Sequence, residues 1–224
     1  MAVRCEIPQS QRNRSGRHGL VASPRHRLGA LPRSSRHHRA ATFSKAQLFT
    51  GLGTFSDLER RIEQLPTEKE RGDAFEVFVE AYLNLDEAAQ ADEVWVGGTV
   101  PSEIRRQLNL PANDYGYDGV FRTRLGELVA YQVKFRTART PLPYRELSTF
   151  FGTTEKAALR FVITNSVGIA KVAKSRTNFN ATRGTDFDRP DATQLSEIAA
   201  WIRGAAPQRR IREPRPTNAP LWST

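Results

Sequence analysis

Two extended runs on either side of a tight Leu125-Gly126 turn constrain this chain more than anything else in it. Residues 117–123 and 128–135, within "DYGYDGVFRTRLGELVAYQVKF", read as the two strands of a β-hairpin. Strand side chains alternate faces, so Gln132 and Lys134 must share one face while Val133 takes the other. The hairpin closure returns them beside Asp118, which opens the first strand. Any fold built on this ribbon gathers a carboxylate, an amide and an ammonium group at one end of a sheet.

The remaining elements fit around that ribbon. Ser56 with Glu59 forms a capping box before "LERRIEQL", which Pro66 ends. Thr67 with Glu70 starts a stronger helix, in which Phe75, Phe78, Val79, Tyr82 and Leu83 form a core stripe at i, i+3, i+4, i+7 and i+8. Glu76 and Glu80 lie one turn apart on its border. "EVWVGG" (93–98) reads as a strand with a Gly-Gly turn, and 101–111 as either a short helix or a loop. Residues 143–157 read as helical, 159–165 as a buried strand and 168–176 as a short amphipathic helix. Asp191 with Gln194 caps a last helix that Gly204 stops. Alternating helices and strands predict an α/β sandwich around a mixed sheet.

The net charge of +10 is unevenly placed. Residues 1–42 carry nine arginines against Glu6 alone, and 205–224 carry four against Glu213, whereas 43–204 hold 21 basic and 22 acidic residues. The basic excess therefore lies in the ends. Residues 1–42 show no apolar period and read as a disordered basic leader, able to add salt-sensitive affinity for nucleic acid. The same composition also suits a transit peptide, without the amphipathic pattern one carries, or translation from a start site set too far upstream. Residues 43–65 read as an N-terminal helical segment, 66–204 as the main domain and 205–224 as a Pro/Arg-rich tail or linker.

Absences narrow the chemistry. All four histidines (His18, His26, His37, His38) and Cys5 fall in the leader, so 43–204 contain neither residue type. That removes Ser-His-Asp and Cys-His arrangements and cysteine or histidine zinc sites from that stretch. No P-loop and no membrane-length apolar run occur, and the lone cysteine fits a reducing compartment. What remains is carboxylate, amide and lysine chemistry. Asp118, the Gln132 amide oxygen and the Val133 carbonyl are oxygen donors suited to a hard cation such as Mg²⁺ or Mn²⁺. Lys134 can stabilise charge on a phosphate or orient water, and Glu76 can receive a water or second cation if its helix packs on the hairpin. Each residue is also an ordinary polar residue of a strand or helix; the combination is what points to phosphodiester chemistry.

"GDAFE" (72–76), "YGYDGV" (115–120), "AYQVKF" (130–135), "LSTFFG" (147–152) and "RFVITNS" (160–166), in this order, resemble the PD-(D/E)XK nuclease superfamily and its Mrr-like restriction endonuclease branch, in which the last acidic position is commonly Gln. The likeness spans roughly 66–176. It implies a restriction-endonuclease-like α/β core, a mixed β-sheet flanked by helices on both faces. It implies Glu76, Asp118, Gln132 and Lys134 as active-site residues, Mg²⁺ or Mn²⁺ as cofactor, and hydrolysis of a DNA backbone in a cytoplasmic restriction or mobile-element setting. Arg122, Arg124, Arg136 and Arg139 flank the hairpin as candidate phosphate contacts. A superfamily 2 helicase domain or subunit and a second copy of the chain are the implied partners, with no membrane. A catalytically silent DNA-binding or assembly module detached from a helicase is the alternative.

Overall fold

Residues 34–86, 89–112 and 116–205 are described by a computed structural model. Five strands form one sheet in sequential order: β1 (Ala91–Val96), β2 (Gly119–Thr123), β3 (Leu128–Lys134), β4 (Leu159–Thr164) and β5 (Phe179–Thr182). β2 runs antiparallel to both β1 and β3, and β4 and β5 continue parallel to β3. Helices cover both faces, so this is a mixed α/β sheet, the architecture expected from the sequence. β3 is the central strand and is buried along its length up to Lys134.

Period-two alternation sorts the strand residues into two cores. Val94, Phe121, Val129, Tyr131, Val133, Phe161 and Ile163 face α1 (Ala40–Lys45), α2 (Phe55–Glu63), α3 (Glu68–Leu85) and α8 (Ala192–Ile202). Trp95, Val120, Ala130 and Val162 face α4 (Ser102–Leu108), α5 (Ser148–Thr153) and α6 (Lys171–Lys174). α7 (Gly184–Phe187) contributes Phe187 to the first core. There the rings of Phe55, Phe75, Phe78 and Phe187 pack in stacked, tilted and edge-on pairs with centroids 4.9–6.2 Å apart. Aromatic burial of this density is the main apolar stabilisation of the layer.

Local sequence explains most of the boundaries. α3 starts where the Thr67 hydroxyl accepts the Glu70 N–H at 3.1 Å, and α8 starts with the reciprocal Asp191/Gln194 box. α2 differs from its sequence reading. Its N-cap is Thr54, not Ser56, because Asp57 accepts both the Gly53 and Thr54 N–H groups while Thr54 accepts the Asp57 N–H. Residues 101–111 resolve into α4, whereas the expected helix over 143–157 shrinks to a 3-10 turn (Tyr144–Glu146) and α5, and α6 is a single turn.

A larger difference lies at the N-terminus. Residues 34–42, read from sequence as part of a disordered leader, are folded against α3. Buried Glu80 draws them in by accepting from Ser35 Oγ, from Arg36 N–H at 2.8 Å and from His37 N–H at 3.2 Å. Ala40 and Phe43 of α1 then join the first core. The rest of the leader and residues 206–224 lie outside the described residues. Among the described residues, no helix is long and apolar enough to cross a membrane.

Phe75 is fully buried and packs against Phe55, Phe78, Phe135 and Phe187. Phe75→Ala is expected to destabilise the chain by about 3–5 kcal/mol, read from denaturant unfolding at unchanged m-value.

Candidate active site

At one end of the sheet the strands stop out of step. Val96 of β1 pairs with Gly119 and Gly119 with Tyr131, but β3 runs on through Gln132, Val133 and Lys134 beside β4. Asp118 sits in the resulting notch. Its carbonyl accepts the Gly97 N–H at 2.7 Å and its N–H donates to the Tyr131 carbonyl at 3.0 Å. Its carboxylate Oδ2 accepts the Val133 N–H at 2.6 Å. A side-chain oxygen thus takes a ladder position that no β2 backbone group reaches. The N–H and C=O of one strand residue point to the same neighbour, so the Val133 carbonyl also faces this notch.

Two glycines make the notch possible. Gly116 adopts φ +84°, and a Cβ there would stand 2.7 Å from Thr149 Cγ2 of α5. A Cβ on Gly119 would stand 2.3 Å from the Tyr131 hydroxyl. The ring of Tyr131 occupies that space and donates to the Trp95 carbonyl at 3.4 Å. Burial pushes its hydroxyl well above the ordinary tyrosine range, and the charges of Glu80, Asp118 and Glu76 push it further. α3 packs on this end of β3, where Phe75 meets Phe135 at 5.7 Å between ring centroids.

Gln132 and Lys134 lie on the opposite face, toward α5. Gln132 is 5% exposed, and its Nε2 donates a long 3.4 Å bond to the Gly116 carbonyl. Its Oε1 is buried without a hydrogen-bond partner among the described residues. An orphaned buried acceptor costs about 1–3 kcal/mol, and such atoms mark places where a cation or water belongs. That oxygen, the Asp118 carboxylate and the Val133 carbonyl are all hard oxygen donors, the type that suits a divalent cation such as Mg²⁺. Lys134 is half-buried. Its carbonyl accepts from Thr164 Oγ1 at 2.6 Å, and its ammonium has no ion pair among the described residues.

The flanking arginines behave differently. Arg136 pairs with Glu146 at 3.0 Å, and Arg122 pairs with Glu93 at 3.4 Å while lying over the Trp95 ring. Arg139 forks onto Glu59 and Asp188, both at 2.6 Å. Arg124 is exposed in the hairpin turn. Asn165 ties this cluster to the sheet: its side chain accepts the Arg136 N–H at 2.6 Å and donates to the Arg136 carbonyl and to Glu59, each at 2.9 Å. The chain that leaves Lys134 is therefore braced on both sides. Glu59, read from sequence as a capping-box partner of Ser56, and Asn165, within the 160–166 motif, have bracing roles that the sequence did not show because their partners lie 80 and 29 residues away.

On the α3 side, Glu76 is 29% exposed and its Oε2 lies 3.2 Å from His37 Nε2. His37, Asp73 and Glu76 each place one ligand-type atom within 4.8 Å of the others. Asp73 is already held by Lys69 Nζ at 3.0 Å. The sequence reading left the folded part without histidine; His37 corrects it, since the segment that carries it is folded. The only sequence signal was its position just before the first apolar residues.

A family model described as restriction endonuclease, of the Mrr-like catalytic type, matches residues 85–196, half of the 224-residue chain. The matched span contains Asp118, Gln132 and Lys134 and stops short of Glu76 and His37. No curated protein and no solved structure matches the chain.

Arg139→Ala strands the nearly buried Glu59 carboxylate. The expected loss is about 2–3 kcal/mol in chemical denaturation, below the ~3–5 kcal/mol of a fully buried pair because Arg139 is partly exposed. Arg139 also holds the Asp188 carboxyl below the usual carboxylate range. That contribution is present above the ordinary carboxylate pKa and is lost as pH falls through the lowered value. The gap between variant and wild type should accordingly narrow in acid.

Proposed function

The chain belongs to the Mrr-like restriction endonuclease family, and from that premise we propose that it is a Mg²⁺- or Mn²⁺-dependent DNA endonuclease whose active site is the notch at Asp118. The observation that carries this reading is the pairing of Asp118 with the end of β3 beside the orphaned Gln132 oxygen. Asp118, Gln132 Oε1 and the Val133 carbonyl would hold the cation. When bound, such an ion polarises a phosphoryl oxygen and lowers the pKa of a water. With one carboxylate and two neutral oxygens, the donor set carries little negative charge, so cation affinity is modest.

The protein's own groups supply the rest. The Lys134 ammonium, without an ion pair among the described residues, stabilises charge that builds on the phosphate oxygens as water attacks and the ester bond breaks. The half-exposed Glu76 carboxylate orients water from the α3 side. The bracing of Arg136 by Asn165 and Glu146 keeps the end of β3 rigid, so that Lys134 is held rather than searching.

Phosphate contacts outside the site fall to cations free of carboxylate partners among the described residues. Arg124 is one. Arg145, Lys171 and Arg176 are others: the Leu142–Ile169 bridge sets the Tyr144–Arg145 turn beside α6, and Arg176 donates to the Tyr144 hydroxyl while lying over its ring. Arg122, Arg136 and Arg139 would first have to leave their carboxylates. Backbone contacts of this kind position a duplex without reading its sequence. A helicase domain or subunit, and a second copy of the chain for cutting both strands, are the partners this reading calls for.

Asp118→Ala and Lys134→Ala are each expected to reduce Mg²⁺-dependent plasmid nicking by about 100-fold or more while thermal unfolding stays cooperative. Undiminished cleavage by both variants would refute the assignment, and binding without cleavage under every metal condition would favour the silent module. Gln132→Glu adds a negative charge at the orphaned oxygen, so its half-saturating Mg²⁺ concentration in the same assay should fall.

A further inference from the structure

The N-terminal segment brings a side chain to the α3 side of the candidate site. Residues 35–39 are held by the three donors to buried Glu80 and by an Arg39–Glu70 ion pair at 3.3 Å. Between these anchors the His37 ring is 8% exposed and stacks on His38, with centroids 4.6 Å apart. Its Nε2 lies 3.2 Å from Glu76 Oε2, and its Nδ1 accepts the Arg39 backbone N–H at 3.2 Å.

These two contacts settle what the ring can do. A ring nitrogen that accepts a hydrogen bond carries no proton, so the neutral imidazole carries its hydrogen on Nε2, aimed at Glu76. A histidine that ligates a metal through Nε2 instead donates an N–H from Nδ1. Here that hydrogen would point at the Arg39 N–H. Asp73, the third member of the cluster, is already committed to Lys69. The arrangement is therefore built to donate to a carboxylate rather than to hold a cation.

We propose that His37 is a positioning residue: its Nε2–H fixes the orientation of the Glu76 carboxylate, so residues 34–39 belong to the working nuclease module. The proposal rests on the reading of Glu76 as part of the active site. With the Nε2–H removed, the carboxylate is free to rotate at an otherwise intact site. Turnover should then suffer while substrate binding does not.

The test uses the full chain. Ring ¹⁵N chemical shifts are expected to show a protonated Nε2 and an unprotonated Nδ1 for His37, with the Nε2 signal moving in Glu76→Gln. In Mg²⁺-dependent plasmid cleavage, His37→Ala should lower kcat by about tenfold, within the range of outer partners of active-site carboxylates, with KM unchanged. His37→Gln, whose amide N–H reaches the same place, should restore most of it. In a Glu76→Gln background, His37→Ala should cost nothing further. The proposal is overturned by a proton on Nδ1, by unchanged kcat in His37→Ala, or by additive losses in the double variant. A fall in Tm that accounts for the lost activity and that His37→Gln does not reverse would also overturn it, as would stoichiometric Zn²⁺ or Mn²⁺ binding abolished by His37→Ala. If the wild type cuts no DNA under any metal condition, the nuclease reading itself fails, and the ring shifts still decide the hydrogen bond.

Discussion

At the open end of the sheet, β2 begins too late to pair with Val133, and the Asp118 carboxylate stands in for the missing backbone. The remaining geometry follows from that substitution. Because the bond is made by a side chain, it places a charge in the plane of the sheet, where neither face has to bury it. Because it grips β3 between Gln132 and Lys134, the carboxylate moves with the strand that carries its neighbours. The loop before it and the ring of Tyr131 are shaped around the same point, through Gly116 and Gly119.

The two faces of the sheet divide the labour. On one, phenylalanines from α2, α3 and α7 provide tight apolar packing that anchors Glu76 on a rigid helix. On the other, the shorter helices α5 and α6 flank β3, and there Gln132 is buried and Lys134 half-buried. The Glu59–Arg139–Asp188 fork and the Asn165 amide hold the chain beyond Lys134. This polar brace sits at the ends of two parallel strands, where a loose loop would otherwise begin.

The parts legible in the sequence were those governed by local pattern. The hairpin, the phenylalanine stripe of α3 and the Asp191 box of α8 depend on residues within a few positions of one another. The parts not legible depend on long-range partners. β5 is four residues long and edge-placed, and its strand character comes from pairing with β4 rather than from "FNAT". α1 and His37 fold because Glu80, some 43 positions later, offers a buried acceptor to three donors. An arginine-rich stretch without apolar period gives no hint of that. Thr54 and Ser56 both fit a capping pattern, and only the reach of Asp57 to Gly53 distinguishes them. Among the candidate site residues, shared strand parity was readable for Gln132 and Lys134, whereas the lack of a partner for the Gln132 oxygen among the described residues was not.

The tight fit of Gly119 against Tyr131 and the Trp95 carbonyl ties three strands into a single steric unit. Any side chain at position 119 claims the volume of the tyrosine ring. Position 131 would then have to shrink, and the carbonyl at 95 would lose its phenolic donor. Relatives of this chain should therefore vary at 119 and 131 together, an evolutionary coupling that marks the notch even where the charged residues themselves have changed.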